Sequence, residues 1–229
     1  MPVSGLHREV AAVALRAAAR YGFALGGGNA LIAHGVIDRP TEDVDLFTDR
    51  ERGVAVGAAA VEAALHAAGY AAERQDDMAG LAEVFEGVDE QLAEWIITAP
   101  DGREMVLQMA YFDRGHHPVI MEFGPVLDLD DVLGGKVAAL AGRAAERDYL
   151  DVAAALARGY GVAQLIGLAV ALDPGLTAED FAEAGQRLDR LGDERFARYG
   201  LAPADVTRLR ERFAPWPRTR GESTIARSE

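Results

Sequence analysis

Residues 25–47 read LGGGNALIAHGVIDRPTEDVDLF and set a glycine run and two alternating aspartates inside one short strand–helix–strand unit. Asp43 and Asp45 alternate with Val44, Leu46 and Phe47. Residues two apart in a strand project to the same side, so both carboxylates leave one face. Like charges held that close repel unless a cation lies between them. A hard divalent ion, bound by one or two carboxylates and completed by substrate phosphates, meets that need, which makes Mg²⁺ the expected metal and Asp43 and Asp45 its ligands. Gly26, Gly27 and Gly28 precede a segment, Asn29 to His34, with the look of a helix start. Such a turn offers backbone N–H groups and the positive end of a helix dipole to a phosphate.

Outward from this unit, Phe23–Gly26 and Val44–Phe47 are predicted as short strands and residues 51–68 as a helix, stopped by Gly69. Leu92–Thr98 and Glu104–Phe112 are apolar runs joined by Pro100, Asp101 and Gly102, the chemistry of a β-hairpin turn. Residues 76–91 fit no single pattern. Near residue 125 the pattern changes from mixed to helical, and it stays helical to about Phe213. The expectation is an α/β chain: a catalytic lobe over residues 1–125 with a small mixed sheet, and a helical lobe over 126–214. Residues 215–229, PWPRTRGESTIARSE, carry two prolines and few apolar side chains, so they are expected to be mobile.

The pattern resembles the nucleotidyltransferase superfamily, and more closely its AbiEii/AbiGii toxin-type branch. Gly27 and Gly28 match the branch's nucleotide-cradling turn, and Thr41 to Phe47 match its T-E-D-hydrophobic-D-L-F signature. A second block, DDVLGGKVAALAGRAAERDYLDVAAAL over residues 130–156, resembles the branch's helices through Lys136, Arg143, Arg147, Asp148 and Asp151. The resemblance implies a Mg²⁺-dependent transfer of a nucleoside monophosphate from NTP to an acceptor, with tRNA 3′ ends as the precedent in the branch. It also implies a toxin–antitoxin context with a co-encoded antitoxin. By the same resemblance Asp43, Asp45, Lys136 and Asp148 are expected in catalysis, and Gly27, Gly28, Asn29, Lys136 and Arg147 at the nucleotide.

One departure stands out. Nucleotidyl transfer normally recruits a third carboxylate from a neighbouring strand, and the polar residue at the matching place is Gln108. An amide oxygen ligates a hard cation but is neutral and takes no proton, so either Asp113 or Asp148 compensates or activity is low.

Composition narrows the reading further. Of 23 basic residues only Lys136 is a lysine, and a compact ammonium suits phosphate oxygens in a way the planar guanidinium does not. Its flanking Gly134 and Gly135 do not make a phosphate loop, since Val137 follows the lysine. A formal charge of −14 argues against broad electrostatic capture of nucleic acid, although Arg208, Arg210, Arg212, Arg218 and Arg220 crowd one end. An acceptor that is a small cation, of the aminoglycoside kind, therefore stands as a rival to RNA, and a binding protein that has lost turnover stands as another.

Zero cysteines exclude disulfides and thiolate metal sites, and no apolar run is long enough for a membrane span, which together fit a cytoplasmic protein. Asp148 and Asp151 share a helix face, as do Arg143 and Arg147, and a surface charge lattice is the alternative to a site. His116 and His117 read as loop residues, not metal ligands. His34 faces either the base or the core, and Thr41 and Glu42 either shape a turn or touch substrate.

Overall fold

Helix formation begins where the sequence allows an amphipathic start, and the computed structural model describes residues 5–75, 91–122 and 124–219. Two compact units divide the chain at Leu129/Asp130.

In the first unit, α1 (Gly5–Ala18) buries Leu6, Val10, Ala14 and Leu15, and β1 (Ala24–Leu25) follows. After α2 (Gly27–Ala33), β2 (Asp43–Thr48) and α3 (Gly53–Ala67) come β3 (Ala71–Arg74), β4 (Leu92–Thr98) and β5 (Glu104–Tyr111). Two three-residue strands, β6 (Val119–Met121) and β7 (Gly124–Val126), complete the sheet. Its seven strands run in the order β3-β4-β5-β2-β1-β7-β6, with β5/β2 and β1/β7 parallel and the other pairs antiparallel. The mixed sheet is thus larger than the small one expected. The strands the sequence left out, β3, β6 and β7, are too short to show a two-residue period.

Alternation explains the layering. Val44, Leu46, Trp95, Ile97, Leu107 and Met109 are fully buried. The helical cover on this side is α3: Trp95 Nε1 donates to Glu62 at 3.4 Å, and a side chain at Gly57 would meet Met109. The intervening residues, Asp43, Asp45, Gln108 and Glu94 among them, are half-buried on the opposite face. The β4/β5 hairpin turns through Gly102, at φ +83°.

The second unit is helical, with α4 (Leu129–Gly142), α5 (Glu146–Ala157), α6 (Val162–Leu172), α7 (Ala178–Arg190), α8 (Glu194–Ala197) and α9 (Pro203–Arg212). Gly134 lets α4 approach α6, since a Cβ there would stand 2.9 Å from the Leu168 carbonyl oxygen. Gly134, two residues before Lys136, therefore serves helix packing. Glu146 is held by Arg195 and Arg198.

Of the segment from residue 215, the described residues 215–219 include a packed aromatic. Trp216 is 2% exposed, its Nε1 donates to the Phe181 carbonyl at 2.9 Å, and its ring lies 5.2 Å from that of Phe213. Arg218 donates to the Trp216 carbonyl and pairs with Asp189. One large aromatic among polar neighbours anchors the segment, and composition averages that away. Residues 220–229 lie outside the described residues, as do 76–90.

Candidate functional site

The first unit assembles the glycine turn against the aspartate strand. Gly26 N–H donates to the Asp45 carbonyl at 2.8 Å, which splices the turn onto β2. Gly27 has φ +57°, and a Cβ there would lie 1.7 Å from Asp45 Oδ2. The absence of a side chain is therefore what lets the Asp45 carboxylate rest against the turn. A Cβ on Gly28 would strike Thr41 Cγ2 at 2.5 Å, so the segment leading into β2 uses the adjacent gap.

Asn29, expected at the nucleotide, has a different place. It is fully buried, its Nδ2 donates to the Asp43 carbonyl at 2.7 Å, and its Oδ1 accepts from the Thr41 hydroxyl at 2.9 Å. With both ends of the amide engaged by protein groups, Asn29 positions Asp43 from behind. The same contact settles Thr41 as a turn-shaping residue. Asn29→Ala is expected to lose about 1–3 kcal/mol of stability, because it strips partners from Asp43 and Thr41 in a dry place. A urea titration checks this; a midpoint equal to wild type would assign the bond no weight.

His34 also turns inward: its Nε2 lies 2.8 Å from the Leu127 carbonyl oxygen, tying α2 to the chain after β7. His116 and His117 are exposed. Among the described residues no group of three or more His, Cys, Asp or Glu side chains converges on a point.

Gln108 lies on the strand beside the aspartate pair. In the parallel ladder Asp45 is opposite Gln108, and in the antiparallel hairpin Gln108 is opposite Glu94. The three residues form one row on the half-buried face, and Gln108 Nε2 donates to Glu94 Oε2. Glu94 is the acid that the sequence reading passed over. Counting outward from the hairpin turn, with Thr98 opposite Glu104, reaches it directly.

The candidate cation donors on this face are the carboxylates of Asp43 and Asp45, with the Gln108 amide on the neighbouring strand. That chemistry fits a hard divalent cation whose remaining positions are taken by phosphate and water.

The second unit holds the other expected residues. Lys136 Nζ lies 2.9 Å from Asp151 Oδ2, with the lysine side chain 14% exposed and Asp151 fully buried. Asp148 is also fully buried; Arg143 Nε and Nη2 grip its two oxygens at 2.9 Å each, and the Ala145 N–H donates to Oδ2 at 3.1 Å. This is the N3 carboxylate of a helix start. Asp148 and Asp151 are thus buried charges with named partners, not a surface lattice. Arg147, immediately before Asp148 in sequence, is half-buried. Several arginines at the C-terminal end are spent on local acids: Arg208 on Asp205, Arg210 on Asp193 and Arg218 on Asp189.

A sequence profile described as "Nucleotidyl transferase AbiEii toxin, Type IV TA system" matches residues 10–215. A comparison with curated proteins returns no match. Among solved structures, JHP933 from Helicobacter pylori is similar at 14% identity and a TM-score of 0.58, covering 92% of this chain and 91% of that one. MenT4, a nucleotidyltransferase toxin from Mycobacterium tuberculosis H37Rv, is similar at 16% identity and a TM-score of 0.59, covering 91% of this chain and 82% of that one. At these identities the likeness is one of fold.

Proposed function

Because the chain belongs to the AbiEii nucleotidyltransferase toxin family, we propose that it transfers a nucleoside monophosphate from NTP to an acceptor, using Asp43 and Asp45 to hold Mg²⁺. The observation that carries this reading is the shared face of the two carboxylates, with Asp45 seated against the Gly27 backbone. When bound, a divalent cation supplies charge stabilisation at the reacting phosphate.

The chain's own residues do the placing. Asn29 ties down the Asp43 backbone, Gly27 and Gly28 let Asp45 and Thr41 pack against the turn, and the N–H groups of that turn are proposed to meet the triphosphate. Lys136 is proposed to meet the phosphates as well. Its pairing with Asp151 uses one of three ammonium donors, and the buried carboxylate holds the lysine head in place. Arg147 is proposed as a second cation for the nucleotide.

The acceptor proposed is RNA, with a tRNA 3′ end as the specific form; the family description, a toxin of a TA system, supports an antitoxin partner, and co-encoding and a cytoplasmic setting are proposed with it. Among the described residues no helix is long and apolar enough to cross a membrane. The charge of −14 and the acids Asp43, Asp45 and Glu94 on one sheet face favour a second reading, transfer to a small cationic acceptor.

Incubating the chain with α-labelled NTPs and Mg²⁺ separates the two. Label on total RNA is the expected result, label on polyamines or aminoglycosides supports the second reading, and label on neither removes the transferase assignment.

A further inference from the structure

The row Asp45–Gln108–Glu94 crosses three adjacent strands on one face of the sheet, and it contains an amide between acids. A primary amide has a donating end and an accepting end, whereas an ionised carboxylate only accepts. The end of Gln108 against Glu94 is therefore its NH₂, as the bond from Nε2 to Glu94 Oε2 records. Because the amide is planar, its oxygen is left for the other side, where Asp45 stands across the parallel ladder.

Without Glu94 the balance would reverse. Asp43 and Asp45 are the nearest acids on β2, and they would draw the NH₂ toward themselves, presenting a donor where a cation needs an acceptor. The two orientations have nearly the same shape, so sterics alone does not choose between them. The charge on Glu94 does.

We propose that Glu94 is a positioning residue of the transfer site: by holding the NH₂ of Gln108 it turns the amide oxygen toward Asp45 and makes Gln108 a neutral third oxygen for the divalent cation. The proposal rests on the reading of Asp43 and Asp45 as the metal pair. It gives the glutamine at the third-carboxylate position a defined task, and it assigns the negative charge missing from that position to the next strand.

The test is Mn²⁺ binding to the full chain without nucleotide, read by titration calorimetry, with melting temperature in the absence of cation as the control for folding. Glu94→Ala and Gln108→Leu are each expected to weaken Mn²⁺ roughly tenfold, the scale of losing an outer partner of a metal ligand. The double variant is expected to be no weaker than either single one, since Glu94 acts only through Gln108. The exchange variant Glu94→Gln/Gln108→Glu keeps a hydrogen bond across the pair and moves the carboxylate beside Asp45, so it is expected to bind Mn²⁺ more tightly than wild type.

Wild-type affinity in Glu94→Ala overturns the proposal. So does a double variant whose loss is the product of the single losses, and so does an exchange variant no tighter than wild type; the last applies even if Glu94→Ala fails to fold. Asp43→Asn separates this from the underlying reading. If it abolishes Mn²⁺ binding while Glu94→Ala has no effect, only the role of Glu94 falls; if it leaves binding intact, the metal pair falls and the role of Glu94 with it.

Discussion

Asp43→Ala and Asp45→Ala are each expected to lower Mg²⁺-dependent nucleotide transfer by about a hundredfold or more, the scale seen when a group that stabilises developing charge is removed. The fold should survive. Both side chains are half-buried on the sheet face that carries Gln108 and Glu94, while the core residues of the same strand, Val44 and Leu46, point the other way. Deleting one of two neighbouring acids also relieves repulsion in the absence of metal, so the melting temperature without Mg²⁺ should stay level or rise. The informative measurement pairs initial rates with melts of the same preparations. A variant that melts lower and loses activity in proportion would point to a structural role. A variant retaining Mg²⁺–NTP affinity by calorimetry would remove Asp43 and Asp45 from the metal.

Lys136→Ala is expected to destabilise the second unit, by up to about 3–5 kcal/mol, since it removes the Lys136 ammonium from beside the fully buried Asp151 carboxylate. That is a large share of the roughly 5–15 kcal/mol that holds a typical domain folded. Replacing both partners with apolar residues of similar size, Lys136→Met with Asp151→Leu, should recover most of the loss, because the penalty comes from the orphaned charge and not from the missing pair. Urea unfolding of the two single variants and the double variant reads this out. A single-variant loss below about 1 kcal/mol would mean that water reaches the carboxylate and that the pair carries little weight. The nucleotide role of Lys136 is a separate matter, tested by amine acylation. As the lysine is alone in the chain, protection by Mg²⁺–NTP is read against the N-terminal amine only. Acylation unchanged at saturating nucleotide would take Lys136 away from the phosphates.

Local pattern carried much of the site. The two-residue period puts Asp43 and Asp45 on one face of any strand they occupy, and the glycine run marks a place where backbone and side chain crowd together. The register of Gln108 against Asp45 was also within reach, since apolar alternation fixes which residues of β5 face the core. Glu94 was within reach too, by counting from the hairpin turn. It went unseen because the search for a compensating acid went to Asp113 and Asp148 and not to the paired strand of the hairpin.

Asn29 shows the limit of that kind of reading. Beside a glycine turn it has the sequence look of a substrate contact, yet its partners are Asp43 and Thr41, which lie 14 and 12 residues away. Asp148 is similar: an acid in a family motif, consumed by Arg143 and the start of α5. A polar side chain has the same chemistry whether it serves the fold or a ligand, and only its surroundings decide which.

The sequence by itself determined the class of the chain, the mixed-then-helical order of its elements, the shared face of the two aspartates and the singularity of Lys136. These follow from periodicity, composition and the geometry of a strand, all of which act over a few residues. Tertiary structure alone decided that Trp216 is buried against Phe181 and Phe213, that β6 and β7 extend the sheet and that Asp151 is buried against Lys136. Each of these depends on which distant segments exclude water together. Burial and partner choice are set by the free energy of the whole packed unit, and no local pattern records them.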